Sequence, residues 1–267
     1  MKFFRMAGWL ATATCMFCTC TFKPASAPFY VTAHRGASGW APENTLAAFA
    51  KAIEQGSDYS ELDVRLSKDG VVVLSHDDSL RRTTGQPGAV RDYTVEELKA
   101  FDAGSWFGPE FTGEKMPTLQ EVMRLVKGKM KLNIEVKITR EEPLVAEKVI
   151  EIIRQEKFDK ECMITSFDQA TVEKVIELAP DLPAGLIFSE TTKADVFAGP
   201  WPILSVRFSA VNKEFVANAR KAGKQIHVWT VNDEQKMRDL LALGVDGIIT
   251  NYPDRLRKVL AETRSGS

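Results

Sequence analysis

The chain has 267 residues, enough for one large α/β barrel or two small domains. Apolar residues make up 44% and charged residues 27%, which excludes a disordered or fibrous chain. The formal net charge of −1 excludes the broadly basic surface that nucleic-acid binding demands.

Residues 1–27 read as a secretory signal peptide. Lys2 and Arg5 give a short basic start, a mostly apolar run follows to about Phe22, and Ala25-Ser26-Ala27 offers small residues for cleavage after Ala27. The run is shorter than about 20 residues and is broken by threonines and cysteines, which argues against a membrane anchor. Export to the periplasm or the medium is therefore expected. The leader carries Lys2, Arg5 and Lys23 and no acid, so the remaining domain, 28–267, is more acidic than the whole chain. Cys15, Cys18 and Cys20 also fall in the leader. Cys162 alone remains, which rules out an intramolecular disulfide in the processed protein, and its apolar setting reads as a buried strand.

Short apolar runs alternate with helical patterns along the rest. Residues 30–33 read as a strand and 44–55 as a helix; 60–66 and 71–75 read as strands. Between 79 and 129 the rhythm breaks in a Gly- and Pro-containing stretch, helical only over 94–100 in its middle, which we read as an insertion after an early strand, folded over the barrel mouth. Strand 132–136 and the amphipathic helix 143–155 resume the alternation. Strand 163–166, helix 169–178, strands 184–188 and 203–206 and helix 212–222 follow. Strand 225–230, helix 234–243, strand 247–249 and a last helix from Pro253 complete the chain. Strands too apolar to be half-solvated, separated by helices, imply a parallel sheet covered by helices. About eight strands in one domain fit a (β/α)8 TIM barrel. The first strand lacks the Gly-rich phosphate loop of an open dinucleotide-binding sheet.

In such a barrel the reactive side chains come from the C-terminal ends of strands. The first strand ends in His34-Arg35-Gly36, and the second carries Glu61-Leu62-Asp63. Strand alternation puts Glu61 and Asp63 on one face, where two carboxylates repel unless a cation such as Ca²⁺ or Mg²⁺ lies between them. The run at 71–75 ends in His76-Asp77, and Glu135 and Lys137 share a face of another strand. A divalent cation beside Arg35 and Lys137 makes an anion site. Two histidines add a general acid and a general base, completing the parts needed for phosphoryl transfer. Mn²⁺ would also suit the carboxylates. His227 reads as structural or as support behind the site.

These residues lie in longer motifs: His34-Arg35-Gly36-Ala37-Ser38, Ala41-Pro42-Glu43-Asn44-Thr45, Glu61-Leu62-Asp63-Val64-Arg65 and His76-Asp77. Further on come Arg82-Thr83-Thr84-Gly85, Trp106-Phe107, Ile134-Glu135-Val136-Lys137, Trp229-Thr230-Val231-Asn232 and the run from Gly244 to Asp254. In them the chain resembles the glycerophosphodiester phosphodiesterase family, itself related to phosphatidylinositol-specific phospholipases C. The resemblance implies a TIM barrel with a small insertion after the second strand. It implies hydrolysis of deacylated phospholipids, such as glycerophosphocholine or glycerophosphoethanolamine, to glycerol 3-phosphate and an alcohol. It also implies that Glu61, Asp63 and Glu135 bind the divalent cation, that His34 and His76 form the acid–base pair, and that Arg35 and Lys137 hold phosphate oxygens. Trp229 would form an apolar wall. The partner expected is a small molecule, without stable membrane insertion: Trp106, Phe107 and Phe111 alternate with Gly, Pro and Glu and make a poor membrane finger. The rival readings are a phospholipase acting on intact lipids and a barrel that binds without catalysis.

Overall fold

A computed structural model describes residues 28–138, 144–192 and 195–265. The leader expected over 1–27 and Pro143, the expected start of a helix, lie outside the described residues. Eight parallel strands close into a barrel: β1 (Tyr30–Ala33), β2 (Tyr59–Leu66), β4 (Lys131–Val136), β5 (Cys162–Ser166), β6 (Ala184–Phe188), β7 (Ile203–Arg207), β8 (Gln225–Trp229) and β9 (Gly247–Thr250). Each pairs with its neighbour in chain order, and β1 pairs with both β9 and β2. Around them lie α1 (Leu46–Glu54), α4 (Leu119–Val126), α5 (Val145–Gln155), α6 (Gln169–Leu178), α7 (Lys213–Lys221), α8 (Glu234–Leu243) and α9 (Pro253–Ser265). Among the described residues β6 and β7 are joined without a helix; buried Val196 and Trp201 cover the sheet there instead.

Alternation divides each strand between two environments. Val31, Leu62, Val64, Leu132, Ile134, Ile164, Leu204, Val228 and Ile248 point outward into the main apolar core under the helices. The inward positions are different. Tyr30, Tyr59, Met163 and Ile203 plug the lower end of the barrel. Above them is a buried polar layer of Thr32, Asn133, Thr165, Ser205 and His227, with Glu61 opposite Asn133 in register and Asp63 and Glu135 one inward position beyond. Cys162 is buried in the outer core, and burial pushes its thiol up to about 12, as a packing role requires.

The segment expected to be a further strand at 71–75 is β3 (Val72–Leu74), and it is not a barrel strand. It runs antiparallel to β2, with Val64, Arg65 and Leu66 opposite Leu74, Val73 and Val72. An apolar run has the same periodicity in either direction, so the sequence could not orient it. β1 and β3 share one edge of β2, β1 at Tyr59 and Ser60 and β3 at its far end. Beyond β3 come α2 (Arg81–Thr84) and α3 (Val95–Ala100), gathered on a small separate core of Val73, Leu80, Val90, Leu98 and Met116. The reading of 79–129 as helical only over 94–100 also missed α4, which packs beside α1 against the barrel. Its start was legible: Thr118 accepts from the Glu121 N–H, and the Glu121 carboxylate accepts the Thr118 N–H at 2.8 Å, a capping box.

Candidate active site

The C-terminal mouth of the barrel opens into a cavity. His34, Arg35, Glu61, His76, Glu135, Lys137 and Trp229 line it, and Asp63 lies fully buried behind them. All the site residues read from the sequence are thus brought to one place.

Sheet register sets the carboxylates. Asp63 of β2 is directly opposite Glu135 of β4, and Glu61 is one inward position lower. Oxygens of all three lie within 4.8 Å of one another. Glu61 Oε2 accepts the backbone N–H of Arg35 at 2.9 Å, while Glu61 Oε1 is buried without a hydrogen-bond partner. Burial, and then the neighbouring Asp63 and Glu135, push the Glu61 carboxyl well above its ordinary range. Burial and Asp63 likewise carry Glu135 to about 7. Burial would also raise Asp63, but Lys137 and Arg35 overcome it and hold that carboxyl well below its usual range. Lys137 Nζ stands 3.1 Å from Asp63 Oδ1 and 2.5 Å from Glu135 Oε1. Three buried carboxyl groups face only that ammonium and the Arg35 guanidinium, and Glu61 Oε1, Asp63 Oδ1 and Glu135 Oε1 are buried without a hydrogen-bond partner. An oxygen donor set of this kind fits a hard divalent cation.

The loop after β1 is bent to serve this cluster. Arg35 and Asn44 take left-handed backbone conformations, φ 55° and 57°, which cost non-glycine residues energy and gather at functional sites. Gly36 follows at φ 80°, with Ala48 packed so closely that a Cβ would lie 2.5 Å from its methyl carbon. The bend aims the Arg35 N–H at Glu61 and its side chain at Asp63, 3.3 Å away, and Glu43, 2.9 Å away. Thr45, not Asn44, caps α1. Asn44 reaches into the barrel instead: its Nδ2 donates to Asp63 Oδ2 at 2.9 Å and its Oδ1 accepts the Asp63 N–H.

The two histidines have unlike supports. His34 Nδ1 lies 2.7 Å from Asn251 Oδ1, and Nε2 faces Glu61 at 3.9 Å, beyond hydrogen-bond distance. Burial, aided by Arg35, lowers its pKa to about 4, so it is neutral at pH 7. His76 Nδ1 lies 2.7 Å from a carboxylate, Asp77 Oδ1. Burial lowers His76 too, while Asp63 and Asp77 pull the other way.

Opposite the ionic wall the cavity is apolar. Trp229 donates its indole N–H to Ser205 O at 3.0 Å and turns its ring to the cavity. Phe167 stands edge-on to it with centroids 5.6 Å apart and is 52% exposed, beside Ile187 and Ile249. Sequence reasoning gave no role to Phe167, Asn251, Asp77 or Arg82. Phe167 and Asn251 each stand just past a strand's C-terminal end, a signal that was available. Asp77 adjoins His76 in sequence, whereas the ties of Arg82 to Glu43 and of Asn251 to His34 join segments far apart in the chain. His227 lies below the cavity, 1% exposed, stacked on Tyr30 at 6.0 Å; burial lowers it to about 4.

Known proteins share this arrangement of chain. The glycerophosphoryl diester phosphodiesterase family model matches residues 34–255. A glycerophosphodiester phosphodiesterase of Caldanaerobacter subterraneus subsp. tengcongensis is 39% identical over 237 residues, covering 85% of this chain and 95% of the relative. Among solved structures, an Oleispira antarctica phosphodiesterase in complex with the product sn-glycerol-3-phosphate superposes with TM-score 0.82 at 32% identity, over 88% of this chain and 97% of that one. A glycerophosphodiester phosphodiesterase of Thermotoga maritima superposes with TM-score 0.71 at 34% identity, over 86% and 98%. The chain belongs to the glycerophosphoryl diester phosphodiesterase family and is a phosphodiester-hydrolysing enzyme of that kind.

Proposed function

We propose that the enzyme hydrolyses small glycerophosphodiesters to glycerol 3-phosphate and an alcohol in a reaction that depends on a divalent cation. The observation that carries this reading is the register of Asp63 on Glu135, beside Glu61, on the same cavity wall as Arg35, Lys137, His34 and His76. Glu61, Asp63 and Glu135 would hold Ca²⁺ or Mg²⁺, whose charge offsets the negative charge that builds on the phosphoryl oxygens.

The chain's own groups do the rest. Arg35 and Lys137 are the cations within reach of non-bridging oxygens, and both stay charged because their carboxylate neighbours outweigh burial. The His34 Nδ1–H donates to Asn251, which leaves Nε2 a free acceptor; a neutral imidazole so held is the general base. It takes the proton of the nucleophile, whether water or the glycerol hydroxyl beside the phosphate; the hydroxyl would give a cyclic phosphate that water then opens to glycerol 3-phosphate in a second step. His76 donates Nδ1–H to the Asp77 carboxylate, which stabilises the imidazolium, and so serves as the general acid that protonates the leaving alcohol at Nε2. Trp229 and Phe167 offer the apolar surface that orients the organic part of the substrate. The relative solved with sn-glycerol-3-phosphate supports the product side of this reading.

The test is glycerol 3-phosphate release from glycerophosphocholine by exported protein, whose first residue on this reading is Pro28, in chelator and after Ca²⁺ or Mg²⁺ is restored. Release should stop with chelation and return with one ion. Undiminished release in chelator would overturn the cation requirement. No release from any glycerophosphodiester with any ion would overturn the substrate, and intact phospholipid would be assayed next.

A further inference from the structure

Arg82, in α2 of the insertion, spends its whole guanidinium on two carboxylates of different segments. Nη1 and Nη2 donate in parallel to Glu43 Oε2 and Oε1 at 2.8 and 2.7 Å, and Nε donates to Asp77 Oδ2 at 2.6 Å. The guanidinium also lies over the Trp106 ring, 5.8 Å from its centroid. Each carboxylate serves a second partner. Glu43 Oε1 takes a hydrogen bond from Arg35, and Asp77 Oδ1 pairs with His76 Nδ1. Charges therefore alternate in a line from the barrel to the insertion: Asp63, Arg35, Glu43, Arg82, Asp77, His76. Glu43 thus stands between two arginines.

The Arg82 side chain is 42% exposed, and exposed ion pairs contribute little to stability. Their geometric effect is larger, because a planar fork with three occupied donors fixes both acceptors in place.

We propose that Arg82 is a positioning residue for phosphodiester hydrolysis. It holds Asp77 so that His76 presents Nε2 to the leaving oxygen, and by the same guanidinium it steadies Glu43 behind the phosphate-holding Arg35. This inference rests on the function proposed above. The insertion thereby completes the acid half of a site whose base half belongs to the barrel.

The test compares two leaving groups, choline in glycerophosphocholine and 4-nitrophenol in its glycerophosphate diester; 4-nitrophenolate departs without a proton. Arg82→Ala should lower kcat for the choline substrate on the order of 10–100-fold, the usual loss when a supporting partner is removed, and should affect the nitrophenyl substrate far less. Arg82→Lys, which cannot bridge both carboxylates, should recover only part of the loss. Asp77→Asn, close in size and leaving the Arg82–Glu43 pair intact, should show the same leaving-group selectivity even if the alanine variant fails to fold. On the choline substrate the double variant should be no worse than Arg82→Ala alone, since the hold of Arg82 on His76 runs through Asp77. Equal losses on both substrates, or wild-type kcat in Arg82→Ala and Asp77→Asn, would overturn the proposal. Wild-type protein inactive on both diesters would instead overturn the function on which it rests.

Discussion

Glu61 is a carboxyl whose charge the fold opposes when no cation is present, because burial and two carboxylate neighbours push its pKa well above the ordinary range. Glu135 behaves in the same way and titrates at about 7. For both, the folded-state pKa lies above the ordinary 4.5, so the folded protein binds the extra proton between the two values. The stabilising contribution is complete below 4.5 and is lost as pH rises through the folded-state values. Metal-free protein should therefore weaken from acid toward neutral pH at these groups, and an added divalent cation should raise the melting temperature more at pH 8 than at pH 5. Glu61→Gln imitates the protonated form and still accepts the Arg35 N–H. Without metal at pH 8 it should melt above the wild type, by about 2–4 °C for each kcal/mol of repulsion relieved in a domain of this size. It should also lose most of the metal-induced rise. Differential scanning fluorimetry with chelator and with Ca²⁺ decides this, and a lower metal-free melting point for the variant would count against the repulsion.

β3 joins two cores. Val72 and Leu74 face the main core, and Val73 between them faces the small core of the insertion with Leu80, Val90, Leu98 and Met116. Two cores meeting on three residues can open separately. Leu98→Ala removes a fully buried side chain from the smaller one, a loss of about 2–5 kcal/mol. Amide exchange should accelerate through α2 and α3 and kcat should fall, while the main thermal transition moves little. A matching drop in that transition would show that insertion and barrel unfold together. This boundary was only half visible in the sequence. Glycines and prolines marked an irregular stretch, and Thr118 with Glu121 marked a helix start. The direction of β3 depends on a partner strand and leaves no local trace. The Glu61, Asp63 and Glu135 cluster was legible because strand alternation is local and the barrel's parallel order follows from the helices between strands. Asn251 under His34, and Asn44 on Asp63, are contacts between segments far apart in sequence, which residue type alone does not reveal.

Across the whole molecule, the barrel interior is polar above its apolar plug and contains two imidazoles that burial keeps neutral, His34 and His227, each at about 4. Their folded-state pKa values lie below the ordinary 6.5, so the unfolded chain takes up protons that the folded one refuses. That part of the stability is complete above 6.5 and is lost as pH falls through about 4. The urea midpoint should drop over that window. His227→Gln should flatten the slope while lowering stability at pH 7; an unchanged slope would remove His227 as a cause. The lone His227 was legible as buried from its strand, but its place in a polar layer with Thr32, Asn133, Thr165 and Ser205 required the closed barrel.

The mouth of that barrel is divided. His34, Arg35, Glu61, Asp63, Glu135 and Lys137 belong to β1, β2, β4 and the turns that end them, whereas Phe167, Ile187, Trp229 and Ile249 come from β5, β6, β8 and β9. The first half is tied into sheet register, left-handed turns and shared carboxylates, so that almost any replacement there disturbs several partners at once. In the second half Phe167 stands edge-on to Trp229, half in solvent, with the Lys137 ammonium 5.8 Å from its ring centroid. Tolerance to substitution should therefore be lopsided: exchanges on the apolar arc should change which organic group fits, while exchanges on the ionic arc should disturb the reaction itself.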